Sequence, residues 1–258
     1  MSDWNPADYL RFGKERSIPA QDLIAHIDID EPERILDIGC GPGNSTRLLK
    51  KRWPGSRLTG VDGSSAMIET ARNNGPDAEW VAADIAEYDP EQRFDIVFSN
   101  AALQWMDDQE MLLERFQRFL TGAGVLAAQV PFFWDMPLGK TIDRVSRDIR
   151  FSEKTGNVSA VFTIHTPGWY YDRLSALFRT IFVWQTDYYH VMQSHAAIVD
   201  MISSTGLRPY LERLASQAEA NRFCAEVEKQ IRRDYPVQRD GRVLFPFKRF
   251  FFVAREPL

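Results

Sequence analysis

A chain of 258 residues, 44% apolar with a formal net charge of −5, can bury one sizeable core and offers no overall cationic surface for tracking phosphates. Its two cysteines, Cys40 and Cys224, lie far apart in no metal-like spacing, which suits a reducing compartment better than a disulfide scaffold. No basic start leads into an apolar run and no stretch reaches bilayer-spanning length, so the expectation is a cytoplasmic protein with neither membrane nor nucleic acid as partner.

The chain opens on a polar, aromatic arm. Trp4-Asn5-Pro6 reads as an extended entry, and Ala7 through Ile18 as a helix with Tyr9, Phe12 and Arg16 on one face. Such a stripe can pack on a core or cover a ligand. Pro19 is expected to open a second helix, ended by Pro32, and Arg34–Ile38 reads as the first strand. That strand runs into Asp37-Ile38-Gly39-Cys40-Gly41-Pro42-Gly43-Asn44-Ser45, three glycines at alternate positions, followed by a helix at Ser45–Arg52. Glycine lets a backbone approach a ligand closely, and the helix start points its unpaired N–H groups at the same spot. This is the pattern of a nucleotide-type cofactor loop.

A dinucleotide fingerprint needs a third glycine that this chain lacks, at Asn44 in one register and Thr46 in the other, and it has no use for Asp37. Arg57–Asp62 reads as the second strand. Asp62 lies 19 residues beyond Gly43, near the interval that places an acid on ribose hydroxyls; its alternative role is to cap the helix at Ser65–Arg72. Glu79–Ile85 reads as the third strand, ending around Asp84. Phe94–Asn100 is the most hydrophobic strand and should be central. It leads into Asn100-Ala101-Ala102-Leu103-Gln104-Trp105, at the end of the sheet where open α/β folds bind ligands. Glu110–Leu120 is the next helix, Gly122 and Gly124 a turn, and Val125–Val130 the fifth strand.

Beyond Pro131 come Phe132-Phe133-Trp134, a helix from Leu138 to about Arg150, and an unpatterned stretch from Thr155 to Thr166. A helix at Tyr171–Phe178, a sixth strand at Phe182–Val191, helices at Ala196–Thr205 and Arg208–Tyr235 (broken near Ser216) and a last strand at Phe250–Ala254 complete the pattern. The cationic excess after Thr205 reads as solvated helical surface.

Asp-x-Gly-x-Gly-x-Gly resembles the cofactor loop of class I S-adenosylmethionine-dependent methyltransferases. Trp4-Asn5-Pro6 with Tyr9 and Glu15-Arg16-Ser17, Leu103-Gln104-Trp105, Tyr188-Tyr189-His190 and Thr205-Gly206-Leu207-Arg208-Pro209 are similar to segments of the bacterial trans-aconitate 2-methyltransferases. The resemblance implies an α/β, Rossmann-like sheet of seven strands, mostly parallel with the last antiparallel. One domain would span residues 1–258: a cofactor core at 1–131, a helical substrate lid built from insertions at 132–170 and 194–242, and closing elements at 171–193 and 243–258.

It further implies S-adenosylmethionine as cofactor and a small tricarboxylate as substrate, with a monomer expected. Asp37 would meet the methionine ammonium, Gly39, Gly41, Gly43 and Asn44 the cofactor backbone, and Asp62 and Gly63 the ribose. Asp84 and Ile85 would hold the adenine, with Met67 either flanking the ring or in the core. Tyr9, Phe12 and Arg16 would cover the cofactor, and Asn100, Ala101 and Trp105 would wall the reaction chamber. Gln104, Trp134, Tyr170, Tyr171, Tyr189, His190, Arg208 and Arg249 are the substrate candidates, although His190 reads more readily as a satisfied structural histidine.

The implied reaction gives a monomethyl ester and S-adenosylhomocysteine. An ionised carboxylate needs no general base, so no catalytic side chain and no metal are expected; orientation carries the rate. The alternatives are methylation of another small or carrier-bound acid, an NAD-linked oxidoreductase and a non-catalytic methyltransferase-like subunit.

Overall fold

The computed structural model describes residues 13–258; Trp4–Pro6, Tyr9 and Phe12 lie outside the described residues, as does the side chain of Arg16. Seven strands form one sheet: β1 Arg34–Ile38, β2 Arg57–Asp62, β3 Glu79–Ala82, β4 Phe94–Asn100, β5 Leu120–Pro131, β6 Phe178–Met192 and β7 Val243–Pro257. Their order is β3-β2-β1-β4-β5-β7-β6, with β7 antiparallel, the sheet expected from the sequence. The described chain divides into two compact units. One comprises the chain up to Val130 with Thr163–Gln185 and Phe250–Leu258; the other comprises Pro131–Phe162 with Thr186–Arg249.

In the first unit β1 and β4 lie side by side, Ile35 against Ile96 and Asp37 against Phe98. Each is buried along nearly its whole length, as central parallel strands covered on both faces must be. Helices α1 Gly13–Ala25, α2 Asn44–Arg52, α3 Ser65–Asn74, α4 Gln109–Arg118 and α5 Pro167–Ser175 belong to this unit. The break expected at Pro19 does not occur: α1 runs through it, because Ala20, Leu23 and Ile24 bury themselves on the far side. That apolar burial outweighs the one backbone hydrogen bond the proline forfeits.

The turn expected at Gly122 and Gly124 falls within the span of β5: Phe94 pairs with Leu120 and Ile96 with Val125, and between them the chain doubles back, so that a Cβ on Gly124 would lie 2.9 Å from the Leu120 Cβ. β3 carries a second local device. A Cβ on Gly43, Gly60 or Gly75 would come within 2.9, 2.6 and 2.5 Å of the Trp80 ring, so the indole lies on a bed of three glycines. The helix expected at Tyr171–Phe178 starts earlier, at Pro167, where the Thr166 side chain accepts from the Trp169 N–H and proline occupies the first turn.

The second unit is helical around α6 Pro137–Ser146, α7 His195–Ser203 and α8 Gln217–Ile231. α8 packs on α6 and α7. The Tyr235 hydroxyl accepts from the Leu138 N–H at 3.1 Å, and the His195 ring meets the Tyr235 carbonyl at 2.6 Å. The break expected near Ser216 is present, with the Ser216 side chain capping α8 through the Glu219 N–H. A short helix at Ser152–Thr155 ends where the stretch without sequence pattern begins, and that stretch contains one short helical piece, Val158–Val161.

Candidate active site

β1 delivers its chain into a loop that only glycine can follow. Gly39, Gly41 and Gly43 have φ of 67°, 55° and 88°, all left-handed. The Gly39 and Cys40 N–H groups donate to the Val61 carbonyl at 2.8 and 3.1 Å, tying the loop to the end of β2. Gly43 precedes α2 without any side-chain cap, so the first N–H groups of that helix are left for another acceptor. A cleft lined by Ser17, Ala20, Gly39, Cys40, Asn44, Ser45 and Asn100 opens beside this loop.

Asp37 stands beneath the loop and is 1% exposed. Its Oδ2 accepts from Ser45 Oγ at 2.8 Å and Thr46 Oγ1 at 2.6 Å, both in the first turn of α2. Its Oδ1 is buried and has no hydrogen-bond partner among the described residues. Burial pushes the carboxyl up to about 7 against the pull of the two hydroxyls, with the Asp62 charge adding to the rise. Burial, with the nearby Asp37 and Asp62 charges, also holds the Cys40 thiol well above its ordinary value.

Asp62 ends β2 and holds the loop from the other side. Its Oδ2 accepts from the Gly41 N–H and its Oδ1 from the Ser64 N–H, each at 2.9 Å. The cap of α3 is Ser64, whose side chain accepts from the Met67 N–H, so the capping alternative for Asp62 does not apply. Met67 is buried with Ile68 and Ala71 on the inner side of α3, while Gly63 is exposed. β3 stops at Ala82, which leaves Asp84 and Ile85 in the turn beyond it. Asp84 is exposed and caps that turn through the Ala86 N–H at 2.9 Å, and Ile85 is buried.

The end of β4 meets the glycine loop closely: a Cβ on Gly39 would sit 2.2 Å from the Ala102 Cβ. Ala101 takes φ of 56°, a costly conformation for a residue with a side chain. Its N–H donates to the Gln129 carbonyl at 2.9 Å and its carbonyl accepts from Gln104 Nε2 at 2.6 Å. The Asn100 Oδ1 and Gln104 Oε1 are buried without partners among the described residues. Trp105 is half-buried in the short helix Leu103–Trp105.

The substrate candidates divide sharply. Tyr170 is fully buried against Phe250 and Phe252 and spends its hydroxyl on Gln109 Oε1 at 2.6 Å, so it is a core residue and not a free donor. Tyr171 is half-exposed on α5. On β6, Tyr189 is 65% exposed while Tyr188 and His190 share the covered face, so alternation puts Tyr188, and not the Tyr189 offered by the sequence, on that face. His190 lies 6.3 Å from the rings of both Phe245 and Phe247. The Arg249 guanidinium sits over the Phe247 ring at 4.4 Å, and the residue is buried. Arg208 donates from Nε to Glu212 at 2.9 Å, and Trp134 packs among Phe133 and Phe162.

A family model described as a methyltransferase domain matches residues 35–124. Trans-aconitate 2-methyltransferase of Escherichia coli (strain 55989 / EAEC) is 42% identical over 255 residues, covering 99% of this chain and 99% of that protein. The chain belongs to the trans-aconitate 2-methyltransferase family. Among solved structures, the YcgJ protein of Bacillus subtilis is similar with a TM-score of 0.58 at 16% identity, covering 92% of this chain and 98% of that one. Phosphoethanolamine N-methyltransferase 2 of Haemonchus contortus, solved with S-adenosylhomocysteine, is similar with a TM-score of 0.57 at 17% identity, covering 93% and 52%. These two bear on the fold alone.

As a trans-aconitate 2-methyltransferase family member, the protein is an S-adenosylmethionine-dependent methyltransferase, and the NAD-linked and non-catalytic readings fall away. The residues present fit that cofactor. A buried carboxylate oxygen without a donor, an uncapped helix start and a loop that excludes Cβ atoms suit a ligand carrying both an ammonium and a carboxylate. Sequence reasoning missed Ser45 and Thr46, which fix Asp37, and Ser17, which lines the cleft. Two hydroxyls at the start of the helix after an acid-ended strand were the available signal. Among the described residues no cluster able to hold a metal ion occurs, and no helix is long and apolar enough to cross a membrane.

Proposed function

We propose that the protein transfers the methyl group of S-adenosylmethionine to one carboxylate of trans-aconitate, releasing the monomethyl ester and S-adenosylhomocysteine. The observation that carries this reading is identity of 42% across 99% of both chains, which extends far beyond the methyltransferase-domain match at 35–124. Substrate choice is the property expected to reside outside that shared segment, in residues 131–162 and 186–249.

Bound S-adenosylmethionine supplies a methyl carbon on a sulfonium, open to attack from the side opposite sulfur. The residues supply position and charge. Asp37 Oδ1 takes the ammonium, the start of α2 with Asn44 takes the carboxylate, and the three glycines let the chain lie against the ligand. Asp62 accepts from the ribose, and Asp84 with the backbone of Ile85 holds the adenine. Asn100, Ala101 and Trp105 wall the space where oxygen meets carbon and keep water out. The reacting carboxylate is ionised at neutral pH, so no side chain has to remove a proton. In-line orientation contributes as much as about 7–11 kcal/mol in such reactions.

The non-reacting carboxylates need cationic partners, and Arg249, buried over the Phe247 ring with His190 at 6.3 Å from the same ring, is the first choice. Arg249→Lys keeps the charge and loses the planar fork. It is expected to raise the KM for trans-aconitate about tenfold or more while leaving the S-adenosylhomocysteine affinity unchanged; an unaltered KM would remove Arg249 from the site.

The reading as a whole is tested by methyl transfer from labelled S-adenosylmethionine to trans-aconitate, cis-aconitate, citrate, isocitrate and a malonyl thioester, scored as base-labile ester. Trans-aconitate should give the highest kcat/KM. A preference for any other acid on the panel overturns the substrate, and Tyr188, His190 and Arg249 then become the residues to reassign.

A further inference from the structure

Gln109 is the first residue of α4 and is 1% exposed, yet nothing in the cofactor or substrate assignment uses it. Three of its four side-chain hydrogen-bonding positions are taken, both donors among them. Nε2 donates to the Leu103 carbonyl at 2.7 Å and to the Thr163 carbonyl at 2.8 Å, and Oε1 accepts from the Tyr170 hydroxyl at 2.6 Å. Thr163 in turn donates its N–H to the Gln104 carbonyl at 3.0 Å. The short helix Leu103–Trp105 is thereby held at two consecutive carbonyls, Leu103 by the amide directly and Gln104 through Thr163.

That helix follows directly on Asn100 and Ala101, and Ala101 sits in a left-handed conformation that a non-glycine residue leaves unless its surroundings fix it. The internal bonds of the loop are short-range: Gln104 Nε2 to the Ala101 carbonyl, the Trp105 N–H to the Ala102 carbonyl, the Met106 N–H to the Leu103 carbonyl. They shape the loop, and the Ala101 N–H ties its start to β5 through the Gln129 carbonyl at 2.9 Å. Gln109 is the buried group that ties the turn to α4 and to the segment that begins at Thr163. The amide orientation is also fixed: Tyr170 presents a hydroxyl to Oε1, and a flipped amide would set oxygen against two carbonyls.

We propose that Gln109 is a positioning residue for methyl transfer, holding the Leu103–Trp105 turn so that Asn100, Ala101 and Trp105 keep the geometry of the reaction chamber. The inference rests on the assignment of this loop to the chamber. Displacement of such a wall by about 1 Å can cost on the order of 100-fold in rate without touching the cofactor.

The test compares Gln109→Met, Tyr170→Phe and Trp105→Ala in the full-length enzyme, with trans-aconitate as substrate. Gln109→Met keeps the shape of the side chain and loses both donors; kcat is expected to fall about 10- to 100-fold with the calorimetric Kd for S-adenosylhomocysteine within about threefold of the parent. Tyr170→Phe lowers the melting temperature but leaves both donors on Nε2, so its kcat should stay within about threefold of the parent. Equal losses of kcat in the two variants would mean general destabilisation and overturn the proposal, as would an unchanged kcat in Gln109→Met. Gln109→Glu, which retains an acceptor for Tyr170, carries the same comparison if the methionine variant does not fold. Trp105→Ala separates the layers: if it lowers kcat while Gln109→Met does not, the chamber stands and Gln109 is only structural. If Trp105→Ala leaves kcat unchanged, the chamber assignment itself fails.

Discussion

Replacing Asp37 by asparagine should make the cofactor-free protein more stable above pH 7 and at the same time cripple its binding of S-adenosylhomocysteine. The folded protein raises this carboxyl from 3.8 to about 7, chiefly by burial. Between those two values the folded state holds a proton that the unfolded state has released. Stability therefore falls as pH rises from about 4 to about 7 and stays lowered above, by a few kcal/mol, on the order of 4 at most. Asparagine cannot ionise, and its oxygen can still accept from Ser45 and Thr46, so the variant escapes that loss. What it cannot do is offer Oδ1 as an anion to an ammonium; its NH₂ group would face the ligand instead. Removing one partner of a buried charge pair costs about 2–5 kcal/mol, roughly 30- to 5,000-fold in affinity.

Thermal melts at pH 5 and pH 8, with and without S-adenosylhomocysteine, check both halves. The parent should lose more stability than Asp37→Asn between the two pH values, and the ligand should raise the melting temperature of the parent alone. Affinity of the parent should also weaken as pH falls below 7, since the ligand must first displace the Asp37 proton. Equal affinity in parent and variant would take Asp37 out of the site.

Gly39→Ala carries the largest structural penalty in the loop. The left-handed φ of 67° alone costs an alanine about 1–2 kcal/mol, and its Cβ would lie 2.2 Å from the Ala102 Cβ. Both atoms belong to short side chains on fixed backbones, so neither can swing aside. Gly41→Ala is the natural control. It has φ of 55° but nothing within 4 Å of the added carbon, so only the conformational cost applies. Urea unfolding should show Gly39→Ala destabilised by several kcal/mol or unable to fold, and Gly41→Ala by about 1–2. Ala102→Gly combined with Gly39→Ala should recover the steric part and leave the conformational part. If Gly39→Ala were no worse than Gly41→Ala, the close approach to Ala102 would not be what reserves this position for glycine.

The cofactor half of the protein was legible because its signals are local. A strand, three alternate glycines and a helix fall within some twenty residues, and acids at the ends of β2 and in the turn after β3 recur at the same step of the repeat. Boundaries failed where tertiary packing overrode local chemistry. Pro19 did not interrupt α1 because the residues after it are buried, and β5 begins before the Gly122–Gly124 turn because β4 pairs on either side of it. The substrate residues were harder. Whether Tyr188 or Tyr189 faces the covered side depends on the register of a long edge strand, and Tyr170 reads as a hydroxyl donor until Gln109 is found 61 positions away. Neither relation has a signature within a short window of sequence.

Trp80 constrains how this chain can change as well as its shape. The indole rests on Gly43, Gly60 and Gly75, which come from three separate segments. While the tryptophan stays, a side chain at any of the three collides with it. Substitution of the tryptophan by something smaller first opens a void beside the cofactor loop, which costs several kcal/mol for so large a ring. Gly60 and Trp80 therefore form an epistatic pair, since changing either alone passes through a less stable intermediate, whereas Gly43, with φ of 88°, and Gly75, whose Cβ would lie 2.4 Å from the Ala71 carbonyl oxygen, stay glycine whatever stands at position 80.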